Sequence, residues 1–105
     1  MSEKLAIDCD CIVSWYDPVD LVDNSLVDNA TGYVTVRDSS GNAVTGAENL
    51  TITYDAGPPR RYYATIPSTI TLTENVAYYV EFSLTDDGGT PIGFRRKRFI
   101  AEYAE

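Results

Sequence analysis

From Leu5 to Trp15 the apolar residues fall on alternate positions: Leu5, Ile7, Cys9, Cys11, Val13 and Trp15 share one parity, with Lys4, Asp8, Asp10 and Ser14 on the other. A period of two predicts a single half-buried strand with Trp15 as its core anchor. Asp17-Pro18 ends it, because proline cannot donate to a ladder and restricts the residue before it. Residues 19–30 are acidic and rich in asparagine, and read as a long crossover loop. From Thr31 onward strand and turn alternate at short intervals. Val34 and Val36 point inward from 33–38, which Ser39-Ser40-Gly41-Asn42 turns. A strand over 50–55 buries Leu50, Ile52 and Tyr54 and stops at Gly57-Pro58-Pro59. The next, 62–66, is halted by Pro67, and 70–73 reads as a short edge piece. Over 77–86 Val80, Phe82 and Leu84 face in, while Tyr79, Glu81 and Ser83 face out. Asp86-Asp87-Gly88-Gly89 has the chemistry of a tight hairpin, so the last strand, 91–103, pairs back on its predecessor. No helical period of useful length appears. About seven strands predict an all-β antiparallel sandwich, immunoglobulin-like or transthyretin-like.

At 105 residues the chain suits one hydrophobic core, so residues 1–105 form one domain: a first strand and acidic crossover over 1–30, then strand-turn repeats over 31–105. Eight tyrosines among many Val, Ile and Thr agree with sheet. The formal net charge of −8 opposes binding to nucleic acid or an anionic membrane. Residues 1–30 hold −6 of it, as Glu3, Asp8, Asp10, Asp17, Asp20, Asp23 and Asp28 against Lys4; the remainder holds −2. No run approaches the roughly 20 apolar residues of a membrane span, and acids stand where a signal peptide would be apolar. The expectation is a soluble chain that is not exported.

Candidate chemistry is sparse. Cys9 and Cys11 lie two apart on one strand, too divergent for a good disulfide, and read as buried free thiols. A zinc site would need two more soft ligands, and the chain has no histidine. Without histidine the commonest general base is missing, and no pair of carboxylates is singled out by spacing, so no catalytic residue, metal or cofactor is expected. The acids of 17–28 do not follow EF-hand spacing and read as a solvated crossover. Asn29-Ala30-Thr31 and Asn49-Leu50-Thr51 match the glycosylation sequon, which without a signal peptide reads as coincidence.

The only basic cluster is Arg95-Arg96-Lys97-Arg98. Neighbours on a strand point to opposite faces, so either a bulge near Gly93 re-registers it or its middle projects beyond the sandwich. Two uses fit: an edge strand guarded against unwanted pairing, or a docking strip for an acidic partner. One acidic partner lies in the chain itself. Asp17, Asp20, Asp23 and Asp28 of one copy could meet the basic strip of another, a heterologous contact that builds rings or filaments.

Trp15-Tyr16-Asp17-Pro18-Val19-Asp20, then Asn29-Ala30-Thr31 leading into 34–44, resembles small immunoglobulin-like proteins encoded in structural gene modules of tailed bacteriophages and prophages. The likeness continues through 62–67 and 77–80. It implies a virion component at the capsid surface or head-to-tail junction, made in the bacterial host cytoplasm, with other virion subunits or itself as partners and no catalytic residue to carry over. Bacterial surface repeats and carboxypeptidase-regulatory-like domains share the Asp-x-x-Gly-Asn turn. An alternating strand soon after Met1 favours a stand-alone protein over an excised repeat. The runner-up is an immunoglobulin-like adhesion or carbohydrate-binding module, in which Tyr62, Tyr63, Tyr78 or Tyr79 would stack on a sugar. One ring of each adjacent pair must face outward.

Overall fold

Alternation and turn chemistry produce eight strands in the computed structural model of the chain, which describes residues 3–20, 27, 30–85, 89 and 91–103. They are β1 (Glu3–Ile7), β2 (Cys11–Tyr16), β3 (Thr31–Arg37), β4 (Leu50–Thr51), β5 (Thr53–Asp55), β6 (Arg61–Ile66), β7 (Ala77–Thr85) and β8 (Pro91–Tyr103). One sheet has five strands in the order β1-β8-β7-β3-β4, and the other has three, β2-β6-β5. All pairs are antiparallel except β1 on β8. Among the described residues there is no helix. The chain is an all-β protein of two sheets, as in a β-sandwich.

The inward parity of each strand supplies one buried cluster. Val34 and Val36 on β3 and Val80, Phe82 and Leu84 on β7 are buried, as the alternation predicts, and so are Tyr62, Ala64 and Ile66 on β6. Full burial of a side chain such as Phe82 contributes about 1.5–3 kcal/mol. Trp15 stands half-buried at the margin of this cluster and meets the Phe82 ring edge-on, with centroids 6.0 Å apart. Gly93 on β8 accommodates that indole, since a Cβ there would lie 3.2 Å from Trp15 Cη2.

Two expected strands are each divided between the sheets. The reading of 5–15 as one strand is corrected: Asp8 adopts φ 60°, the chain bends at 8–10, and β1 and β2 join different sheets. The thiols are consequently not a buried pair, for Cys9 is exposed on the bend and Cys11 is half-buried. The strand over 50–55 likewise splits. Leu50 and Thr51 pair with β3, Ile52 stays tied to it through its N–H on Gly32 O at 3.1 Å, and Thr53 begins pairing with β6. The piece at 70–73 is not a strand; Ile70 and Leu72 are buried as core-covering loop.

Side chains tie down the connections. Asp38 accepts the N–H groups of Ser40 and Asn42, closing the expected turn after β3. Asp17, at φ 46°, accepts the Arg60 N–H at 3.0 Å and donates its own to Arg60 O, ending β2 beside the start of β6. The buried Tyr62 hydroxyl donates to Val27 O at 2.9 Å and accepts the Ala30 N–H at 3.2 Å. It straps the end of the crossover to the core. Of the hairpin Asp86-Asp87-Gly88-Gly89, only Gly89 is among the described residues.

Candidate functional site

Partners in an antiparallel ladder present side chains to the same face. Lys97 faces Val80 and Arg95 faces Phe82 in register, so both lie on the inward side of β8, whereas Arg96 opposite Glu81 and Arg98 opposite Tyr79 lie on the outward side. The bulge expected near Gly93 is present. The β7–β8 register shifts between Leu84 and Thr85, which face Gly93 and Pro91, leaving Ile92 as the extra residue of a bulge. Arg95 and Lys97 remain half-exposed at the sheet margin. There β1 runs beside only Phe99–Tyr103, so no strand among the described residues lies along the outer edge of β8 from Pro91 to Arg98. Arg95 has no hydrogen-bond or ion-pair partner among the described residues.

The outward face of the five-stranded sheet gathers a second set of groups. One cross-strand row runs Thr51, Tyr33, Ser83, Phe94; the next Thr35, Glu81, Arg96; the next Arg37, Tyr79, Arg98. Tyr33 and Phe94 are 52% and 58% exposed, far more than core aromatics allow, and stand two strands apart, about 10 Å. Arg96 stacks on Tyr79 with its guanidinium carbon 4.2 Å from the ring centroid. Glu81 accepts Arg37 Nε at 2.6 Å and lies 3.8 Å from Arg96 Nε. Two arginines thus flank one carboxylate, and Arg98 adds a third cation in the next row, which leaves a cationic, aromatic-rimmed face on a chain of net charge −8. Planar guanidinium groups held on a rigid sheet suit recognition of carboxylates.

Glu81 orders this face. Glu81→Gln is expected to lower stability by about 1 kcal/mol, and by less in high salt, because it leaves Arg37 and Arg96 facing each other across a neutral amide. Urea unfolding at two salt concentrations measures it; no change at low salt would mean the arginines are held by other contacts.

The described aspartates of the front segment lie at both ends of β2. Asp8 and Asp10 sit on the bend before β2, where Asp10 accepts the Ser68 N–H at 2.8 Å. Asp17 and Asp20 follow the other end of that strand, with Asp17 engaged by Arg60. Asp23 and Asp28 lie outside the described residues. Among the described residues no group of three or more His, Cys, Asp or Glu could hold a metal ion, and no helix is long and apolar enough to cross a membrane.

The tyrosines named as a stacking platform do not make one. Tyr62 and Tyr78 are buried; Tyr63 and Tyr79 face outward, but from different sheets, and each lies under an arginine, Arg61 at 4.4 Å and Arg96 at 4.2 Å. The pair that shares an open face is Tyr33 and Phe94, which the sequence reading passed over. Its signal was there: Tyr33 has the outward parity of β3, and Phe94 directly precedes the basic run.

No family model, curated protein or solved structure matches the chain.

Proposed function

We propose that the chain is a non-enzymatic structural or adaptor protein that docks an acidic protein partner on β8, through the outward Arg96 and Arg98 and the strand's uncovered first half. The observation that carries this reading is the row of Phe94, Arg96 and Arg98 beside Tyr33 and Tyr79, a cationic surface on an acidic protein. Arg95 and Lys97 add charge at the same margin. An exposed strand edge offers backbone groups to an incoming strand, and flanking cations select an acidic one.

We read the architecture as one immunoglobulin-like domain, on the strength of its strand order: β8, β7 and β3 at the heart of one sheet, β2, β6 and β5 in the other, and a chain that changes sheet after β1, β2, β4 and β6. The place of action we propose is a phage or prophage particle, at the capsid surface or head-to-tail junction, with other virion subunits or further copies as partners. The resemblance of the sequence motifs supports it. Genes for capsid, portal or tail proteins beside the coding sequence are the expected finding; a cell-wall anchor or secreted hydrolase gene there would overturn it.

The docking itself is tested by size exclusion with light scattering at about 20 mM and 500 mM salt, conditions that bracket strong and weak screening. Self-association through charge predicts a species larger than a monomer at low salt that shrinks at high salt, and R96E/R98E abolishes it in a protein that still melts cooperatively. A monomer at low salt sinks self-docking and leaves the other virion subunits as the partner.

One observation favours a second reading, an adhesion or carbohydrate-binding module: Tyr33 and Phe94 open on one face. Quenching or enhancement of tyrosine fluorescence by soluble cell-wall polysaccharide, lost in Tyr33→Ala, would support it over the first.

A further inference from the structure

The connector from β1 to β2 is three residues long, 8–10, and takes the chain from one sheet to the other. Its first residue, Asp8, sits at φ 60°, in the left-handed region that disfavours side chains with a Cβ. Yet the apolar alternation runs straight through this bend. Leu5, Ile7, Cys9, Cys11, Val13 and Trp15 keep one parity, although Cys9 lies exposed on the bend. Unbent, residues 3–16 would satisfy that pattern as one strand and would need no left-handed residue. β1 itself is a five-residue margin strand that seats Leu5 and Ile7 in the core beside Phe99–Tyr103. A short margin strand on a short, strained connector is the arrangement that exchanges between copies of a chain.

We propose that β1 is an exchangeable strand. It leaves the β8 edge of its own chain and takes the same place on a second copy, giving a two-fold dimer in which residues 3–16 of each chain run straight. Every β1–β8 contact is then made between chains instead of within one, so the contacts themselves cancel. What decides the balance is relief of two bends against the loss of an intramolecular connection, whose effective concentration is of millimolar order. The closed monomer therefore holds at dilution, and the exchanged dimer gains as concentration rises. This goes beyond the docking face proposed above and uses none of its arginines.

The test is refolding of the full chain across a concentration series up to about 1 mM, the scale set by the short connector, in about 500 mM salt where charge docking is screened. Light scattering then gives the dimer fraction after dilution. The wild-type dimer fraction is expected to rise with refolding concentration and to persist on dilution in the cold, since release requires β1 to detach. Asp8→Val, whose branched side chain resists the left-handed bend, raises the dimerisation constant at least about tenfold, and Asp8→Gly, which relaxes it, lowers it about tenfold. Equal dimer fractions in all three proteins, or a shift in the opposite order, would overturn the proposal. A chain lacking Asp8 and Cys9 keeps the parity of β1 but cannot fold it back. It is expected as an obligate dimer, and a cooperatively melting monomer overturns the proposal as well. Should the shortened chain not fold, the opposed Asp8 variants decide alone.

Discussion

Tyr62→Phe is expected to lower the free energy of unfolding by about 2–4 kcal/mol, out of all proportion to the single oxygen removed. Phenylalanine keeps the ring, its volume and its contact with Tyr54, whose centroid lies 4.7 Å away. What it loses is the hydroxyl that satisfies Val27 O and the Ala30 N–H together. Both Val27 and Ala30 are buried, so neither backbone group can turn to bulk water without moving the segment. Each orphaned group costs about 1–3 kcal/mol. A domain of this size is stable by only about 5–15 kcal/mol. Equilibrium urea unfolding measures the loss; hydrogen exchange at Ala30 gives a second readout, faster in the variant than the global change explains. A loss under about 0.5 kcal/mol would show that the crossover is held by packing and not by this strap.

Gly32→Val is expected to be the most damaging single substitution on the sheet. Gly32 is buried in β3 opposite Leu84, in a position whose parity calls for an apolar side chain. No side chain fits: a Cβ would stand 2.2 Å from the Ser83 carbonyl oxygen, 2.9 Å from Leu84 Cδ2 and 3.2 Å from Ile52 Cδ1. Leucine and isoleucine tips can shift by tenths of an ångström, but the carbonyl belongs to the β3–β7 ladder and cannot. Overpacking of a core typically costs about 1–3 kcal/mol, and a backbone clash puts this case at or above the top of that range. Thermal melting followed by circular dichroism should show a midpoint lowered by 12 °C or more, at about 4–8 °C per kcal/mol for a domain of this size. Gly32→Ala, which adds the same Cβ and nothing else, separates the carbonyl clash from bulk: most of the loss should already be present. A variant with the wild-type midpoint would mean the two strands part easily at this point.

These two residues also mark how far parity reads. Val34 and Val36, and Val80, Phe82 and Leu84, were legible as inward positions because a strand exposed on one side must alternate. Parity could not reveal that 5–15 and 50–55 each serve two sheets. Both sheets face the same core, so a chain that crosses from one to the other at Asp8–Asp10 or at Ile52 can leave its inward parity unchanged. Only the backbone records the crossing, in the left-handed Asp8 and in the Ile52 N–H that still bonds Gly32 O. Tyr62 was legible as one of two adjacent tyrosines that had to point oppositely, but not as a strap, because its partners belong to a crossover with no pattern of its own.

The proposed docking face was legible in half. Arg95 to Arg98 stood out as the one basic run, and alternation required its charges to separate. That Arg96 and Arg98 join Arg37, Tyr79 and Tyr33 follows from the β8-β7-β3 order, which brings together residues far apart in the chain. No spacing rule encodes such a neighbourhood.

The division of 50–55 between the sheets has a consequence for the molecule as a building unit. It leaves β4 with two residues and β5 with three, so on that flank both sheets end in stubs too short to template an added strand. The opposite flank carries β2, with six residues, and the long β8 with β1 against its far end. The domain is therefore one-handed, closed along one side and open along the other. Units that can join only at one side make pairs or cap the rim of a larger body, and do not extend a sheet without limit.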